Sequence, residues 1–186
     1  MSMYLIALYI HITGALAMFA GLGMEGIVFK HLKNAASPQQ AVPWLGSMKI
    51  LRIVFTYATV SLLLTGVYLV ILSWGWNSWV LTGLVLLVAL SGYGSTSGKK
   101  IGMSIASLIN SSDQSIPSKV RKVIGSPLMM TIYKLKITIA LGIIFMMTTK
   151  PGWIGSMVTV AAAIAIGFLI DLPFKMKADI KELESA

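Results

Sequence analysis

Cysteine is absent from the chain and charge is scarce: of 186 residues only 11% are Asp, Glu, Lys or Arg. Without thiols there is no disulfide, no thiolate nucleophile and no cysteine-ligated zinc or iron–sulfur centre. Average domains carry about 25% charged residues. A chain with less than half that share, 56% hydrophobic residues and a mean hydropathy of +0.84 cannot clothe itself for water, which excludes a soluble enzyme. Acid is the scarcer sign, six Asp and Glu against fifteen Lys and Arg, for a net charge of +9. That excess does not point to nucleic acid, because the basic residues lie in three short stretches between apolar runs and not on one water-facing surface. Also missing are H-E-x-x-H, G-x-S-x-G and a phosphate-binding glycine loop.

Long apolar runs are what the chain has. A hydrocarbon core of about 30 Å needs about 20 apolar residues per helix, and five segments qualify, at about 3–29, 51–74, 79–98, 128–149 and 153–173. The expected fold is therefore all-α: one domain over 1–174, a bundle of five transmembrane helices, followed by a cytoplasmic tail at 175–186. Gly75-Trp76-Asn77-Ser78 ties the second and third spans into an antiparallel pair. Pro127 suits a first helical turn, and Lys150-Pro151-Gly152 ends the fourth span. The stretch 34–43, polar with two prolines, reads as a loop. Residues 99–109 suit either a helix on the inner membrane surface or an extension of the third span, and 111–118 reads as a linker. The first span is read as a retained helix and not a signal peptide, since Met1-Ser2-Met3-Tyr4 carries no positive charge.

Five spans put nearly all the basic residues on one side. Lys30, Lys33, Lys49 and Arg52 border the first loop, Lys99, Lys100, Lys119, Arg121, Lys122, Lys134 and Lys136 the third connection, and Lys175, Lys177 and Lys181 the tail, leaving Lys150 alone opposite. Cytoplasmic loops are enriched in Lys and Arg, so the N-terminus is expected outside and the C-terminus in the cytoplasm. Trp74, Trp76, Trp79 and Trp153 fall at the outer ends and Trp44 at the inner, in keeping with the preference of tryptophan for interfaces.

Ionisable groups inside a bilayer are costly and so mark candidate sites. His11, Gly14, Met18, Gly21 and Glu25 recur at steps of three and four residues and share one helix face, expected to point into the bundle. His11 lies about 10 Å below the outer end of the first span and Glu25 about 20 Å further on, so the two cannot touch. The glycines serve either close helix packing or space for a flat ligand such as a porphyrin. His11 is either a hydrogen-bonding tie between helices or an axial haem ligand, a metal ligand or a proton carrier. The other histidine, His31, sits at the cytoplasmic end of the same helix, so a second axial ligand would be Met, Lys, Tyr or water, with Met146 and Met147 at a suitable depth. Twelve methionines also raise Cu(I), although no M-x-x-M cluster gathers on a loop. Glu25, Arg52, Lys134, Lys136 and Asp171 fall near one depth. They form either a charge-balanced inner rim or a cavity for an anionic group such as a haem propionate, with Arg52 and Lys136 as clamps and Glu25 and Asp171 as buried polar or proton-carrying groups.

Tyr9-Ile10-His11-Ile12-Thr13-Gly14-Ala15 with Gly21 and Gly23, and Ser61-Leu62-Leu63-Leu64-Thr65-Gly66-Val67-Tyr68-Leu69 leading to Trp74, resemble a family of small bacterial predicted integral membrane proteins of unknown function. That family is distantly similar to copper-resistance D-type proteins and to the HemJ type of protoporphyrinogen oxidase. The resemblance covers about the first hundred residues and implies a bacterial inner (plasma) membrane location and haem b held by His11. It does not extend to the oxidase activity: no lysine matches the essential one of HemJ-type enzymes, Lys99 and Lys100 lying at the edge of the third span, and Met18-Phe19-Ala20-Gly21 and Phe29-Lys30-His31 replace the tryptophan- and arginine-rich stretch.

Three functional classes follow. The first is a haem-binding protein in a redox or accessory role, with His11 as ligand, Gly14, Met18 and Gly21 along the cofactor face and Arg52 and Lys136 at the propionates. The second is a small transporter or proton-coupled permease, which with five helices and no inverted repeat must oligomerise. The third is a structural or assembly subunit of a membrane complex. The lipid bilayer is the partner common to all three.

Overall fold

The structure, a computed structural model, describes residues 2–92 and 126–170, and among them every extended segment is helical and no strand occurs. The expectations for 99–109, 111–118, Asp171 and the tail at 175–186 lie outside the described residues. Helix α1 is Met3–Asn34, α2 is Pro38–Leu69 continuing through a π-helical turn at Val70–Trp74, α3 is Ser78–Gly92, α4 is Pro127–Thr149 and α5 is Trp153–Leu169. Three stretches, Met3–Asn34, Gln39–Trp74 and Met129–Thr149, are long and apolar enough to cross a membrane, while α3 and α5 are shorter apolar helices. Large apolar side chains face outward along the bundle, Leu16 at 66%, Leu64 at 69% and Ile154 at 83% exposure. Such an inside-out surface is consistent with a membrane protein and foreign to a soluble one.

The chain's punctuation fixes the helix ends. Ser2 Oγ accepts the Leu5 N–H at 3.4 Å and caps α1. The π turn at the end of α2 closes when the Gly75 N–H reaches back to the Val70 carbonyl at 2.9 Å, and Gly75 then takes φ +69°, a conformation that a side chain disfavours. Helix α4 begins at Pro127, as expected, and ends at Lys150, which adopts the left-handed conformation at φ 48° before Pro151 and Gly152.

Residues 34–43 are not the expected loop: only Ala35–Ser37 lies outside helix. Pro38 occupies the first turn of α2, where its missing N–H costs nothing. Pro43 lies only one turn further on, and the helix continues through it because tertiary packing outweighs one lost backbone bond. Ala41 and Leu45 are fully buried against Val28, Phe29 and Leu32 of α1, with Met129 and Tyr133 of α4 beside them.

Helices α1 and α2 form an antiparallel pair whose seam runs past Gly14, where a Cβ would stand 3.3 Å from Leu62 Cγ, and Gly21, where it would stand 3.4 Å from the Phe55 ring. The seam opens onto a cluster of Met18, Leu22, Ala58, Leu62, Leu87 and Ala140, which joins α1 to α4. At the end that holds Trp74, Trp76, Trp79 and Trp153, a third cluster of Val70, Trp79, Val80 and Met146 packs α3 against the π turn and α4. There the Ser78 hydroxyl donates to the Pro151 carbonyl at 3.1 Å, tying the two turns together. Helix α5 leans on α4, with Gly142 against Ala163 and Gly167 against Thr138 and Leu135. Lipid tails are as apolar as leucine, so this close approach at glycine, and the few polar ties, supply what burial from water supplies in a soluble core.

Candidate functional site

The stripe at His11, Gly14, Met18, Gly21 and Glu25 is the inward side of α1: Gly14, Met18, Gly21 and Glu25 are buried and His11 is half-buried. Its two ionisable ends make different constellations.

At the basic end, Lys136 Nζ donates to Glu25 Oε1 at 2.6 Å. Both side chains are buried, at 10% and 8% exposure. Glu25 is about 33 Å along α1 from Met3, and Lys136 is about 20 Å along α4 from Thr149. Helical side chains lean toward the N-terminus of their own helix, so Glu25 tilts toward the tryptophan end and Lys136 away from it, which closes most of that difference. Tyr133, one turn before Lys136 on the same face of α4, donates its hydroxyl to the Leu22 carbonyl at 3.2 Å and lies against the bare Cα of Gly26. A Cβ at Gly26 would collide with that hydroxyl. Glu25 Oε2 is buried without a hydrogen-bond partner, the one such side-chain atom among the described residues. Sequence reasoning missed Tyr133, although its i, i+3 spacing to Lys136 was there to be read.

At the other end, His11 Nδ1 lies 3.0 Å from Thr65 Oγ1, and that hydroxyl lies 2.6 Å from the Ser61 carbonyl. A hydroxyl has one proton, and a carbonyl can only accept, so the Thr65 proton goes to Ser61 and its oxygen accepts from His11. With the Thr65 proton directed to the Ser61 carbonyl, the ring is assigned the Nδ1–H tautomer. The imidazole meets the Trp74 ring edge to face at 6.0 Å and 82°. It also packs over Gly66, where a Cβ would stand 3.3 Å from Cε1. The π turn brings Trp74 to this place, and such turns recur at functional sites. Thr65 and Trp74 could have been paired with His11 in advance only with the α1–α2 register in hand.

The remaining candidates are placed as follows. Gly14 and Gly21 face Leu62 and Phe55, so the α1–α2 seam is filled by side chains of α2. Met18 sits in the central cluster, and Met146 is fully buried beside Trp79 and Val80. Arg52 is exposed on α2, and Lys136 is bonded to Glu25. His31 stacks flat on Trp44, rings 4.0 Å apart. Among the described residues no three His, Asp or Glu side chains gather as a metal site would need. Comparison of the chain with family models, curated proteins and solved structures finds no match.

Proposed function

We propose that the chain is a five-span protein of the bacterial inner membrane, N-terminus outside and C-terminus in the cytoplasm, in which His11 serves through Nε2 as an axial ligand to haem b in a redox or accessory role. The topology draws support from the charge asymmetry and from the gathering of Trp74, Trp79 and Lys150, the last with its ammonium 5.7 Å from the Trp79 ring centre.

The observation that carries the ligand reading is the Ser61–Thr65–His11 chain of hydrogen bonds. Ligating histidines nearly always donate their other ring N–H to an oxygen, which fixes the ring and makes the free nitrogen more basic. The other ring nitrogen suits an axial ligand, and Leu62 and Phe55 lie against Gly14 and Gly21 along the seam. In this reading His11 is the point of attachment, and Gly14, Met18 and Gly21 pack the helices that present it. When bound, haem supplies one-electron chemistry; this chain's share is to orient the imidazole and to keep its N–H engaged.

The closed seam favours a second reading, a structural or assembly subunit in which the same groups only join helices. The unpartnered Glu25 Oε2 favours a third, a proton-coupled carrier, whose mark is pH-dependent flux in liposomes. A visible absorption spectrum of the detergent-purified protein, expressed with haem precursor, separates the first reading from the other two, and flux separates those. A near-stoichiometric Soret band that disappears in His11→Ala is the expected result. A colourless wild type, or a band indifferent to His11, overturns the haem reading.

A further inference from the structure

The exposed face of α2 combines an apolar stripe with a pair of cations at one end. Ile53, Tyr57, Val60, Leu64, Val67 and Ile71 are all exposed and recur at steps of three and four, forming one apolar stripe opposite the inward Ala58–Leu62 face. The stripe is about 27 Å long, close to the hydrocarbon thickness of a bilayer. At its basic end it is headed by Lys49 and Arg52, exposed, three residues apart and on the same side of the helix. The α1–α2 register, Gly21 at Phe55 and His31 stacked on Trp44, sets this pair level with the buried Glu25.

Among the described residues neither side chain has an acid to meet. Glu25 is the one acidic residue among the described residues, and it is buried and bound to Lys136. The Thr56 hydroxyl beside them is turned back onto the Arg52 carbonyl at 2.9 Å. Two cations at the end of an apolar track match an anionic phospholipid, with the phosphate taken by the Arg52 fork and the Lys49 ammonium. One acyl chain would lie along Ile53, Tyr57, Val60 and Leu64, about 16 Å and so about one leaflet deep.

We propose that the Lys49–Arg52 end of α2 is a binding site for an anionic phospholipid of the inner leaflet. This inference rests on the membrane-spanning reading and is independent of any ligand at His11.

The test is native mass spectrometry of the full chain released from micelles holding equal phosphatidylglycerol and phosphatidylcholine. Wild type retains phosphatidylglycerol preferentially. Lys49→Ala with Arg52→Ala weakens that retention about 30-fold. Lys30→Ala with Lys33→Ala, which removes the same charge from exposed sites further along the hairpin, leaves it nearly unchanged. All four side chains are exposed, so the bundle's packing is untouched. Equal losses in the two double variants, or equal retention of both lipids by wild type, overturn the site. Alkaline carbonate extraction of the same membranes tests the underlying reading separately: a chain that washes off was never spanning, whereas one that stays and shows no headgroup preference refutes the lipid site alone.

Discussion

Deleting the cation opposite Glu25 is the most informative perturbation of the bundle. In Lys136→Met the apolar stem is kept and the ammonium removed, so Glu25 loses its one bond, at 2.6 Å, and both carboxylate oxygens are left buried without a partner. Breaking a buried pair from one side costs about 3–5 kcal/mol. Glu25→Leu is gentler, about 1–2 kcal/mol, because the lysine stem leans toward the basic end and can carry its ammonium out to water. Glu25→Leu combined with Lys136→Met removes both charges together with their desolvation, and stability returns to within about 1 kcal/mol of wild type. The ordering is the signature: the lysine deletion worst, the glutamate deletion intermediate, the double variant near neutral, and the two single effects far from additive. Unfolding in mixed micelles by added dodecyl sulfate, followed by tryptophan fluorescence, reads it. A Lys136→Met protein as stable as wild type, or a double variant as damaged as the sum of the singles, would refute a buried, coupled pair.

Other consequences can be checked in the same assay. Gly26→Ala drives a methyl into the Tyr133 hydroxyl and costs about 1–3 kcal/mol, and Tyr133→Phe in that background restores part of the loss although alone it is mildly destabilising. Thr65→Val keeps the shape of the side chain but frees the His11 ring, at a cost of about 1 kcal/mol; in a haem-loaded preparation it shifts the Soret band without abolishing it, and an unshifted band would separate Thr65 from the ligand. Lys150→Gly relieves the left-handed backbone at φ 48° by about 1 kcal/mol while losing a cation–π contact of about 0.5–1 kcal/mol with Trp79, so it is nearly neutral, whereas Lys150→Ala keeps the strain, loses the contact and is destabilising.

The parts of the fold legible in the sequence are those written in local chemistry. Pro127 and Lys150-Pro151-Gly152 bracket α4, and Gly75 closes the turn before α3, because proline and glycine restrict the backbone whatever surrounds them. The inward side of α1 was legible because a helix that carries His11 and Glu25 on one stripe with glycines has one face it can hide. Residues 38–43 read as loop because Pro38 and Pro43 disfavour helix locally, while the burial of Ala41 and Leu45 that keeps the segment helical depends on α1 and α4. The same limit governs the candidate site. That Lys136 and not Arg52 meets Glu25 depends on which face of α2 turns outward, and the tie of His11 to Thr65 depends on helix register. Spacing along one helix determines neither.

Topology underlies every functional statement made about the chain, and its lack of cysteine makes topology measurable without background. Single cysteines at Ser2, Gln39, Asn77 and Gly152, all exposed and outside or at the ends of the helices, can be labelled in intact cells with a membrane-impermeant maleimide. The five-span arrangement predicts that the Ser2→Cys, Asn77→Cys and Gly152→Cys chains label from outside and that Gln39→Cys labels only after permeabilisation. Labelling of Gln39→Cys from outside, or protection of Asn77→Cys and Gly152→Cys, would contradict it.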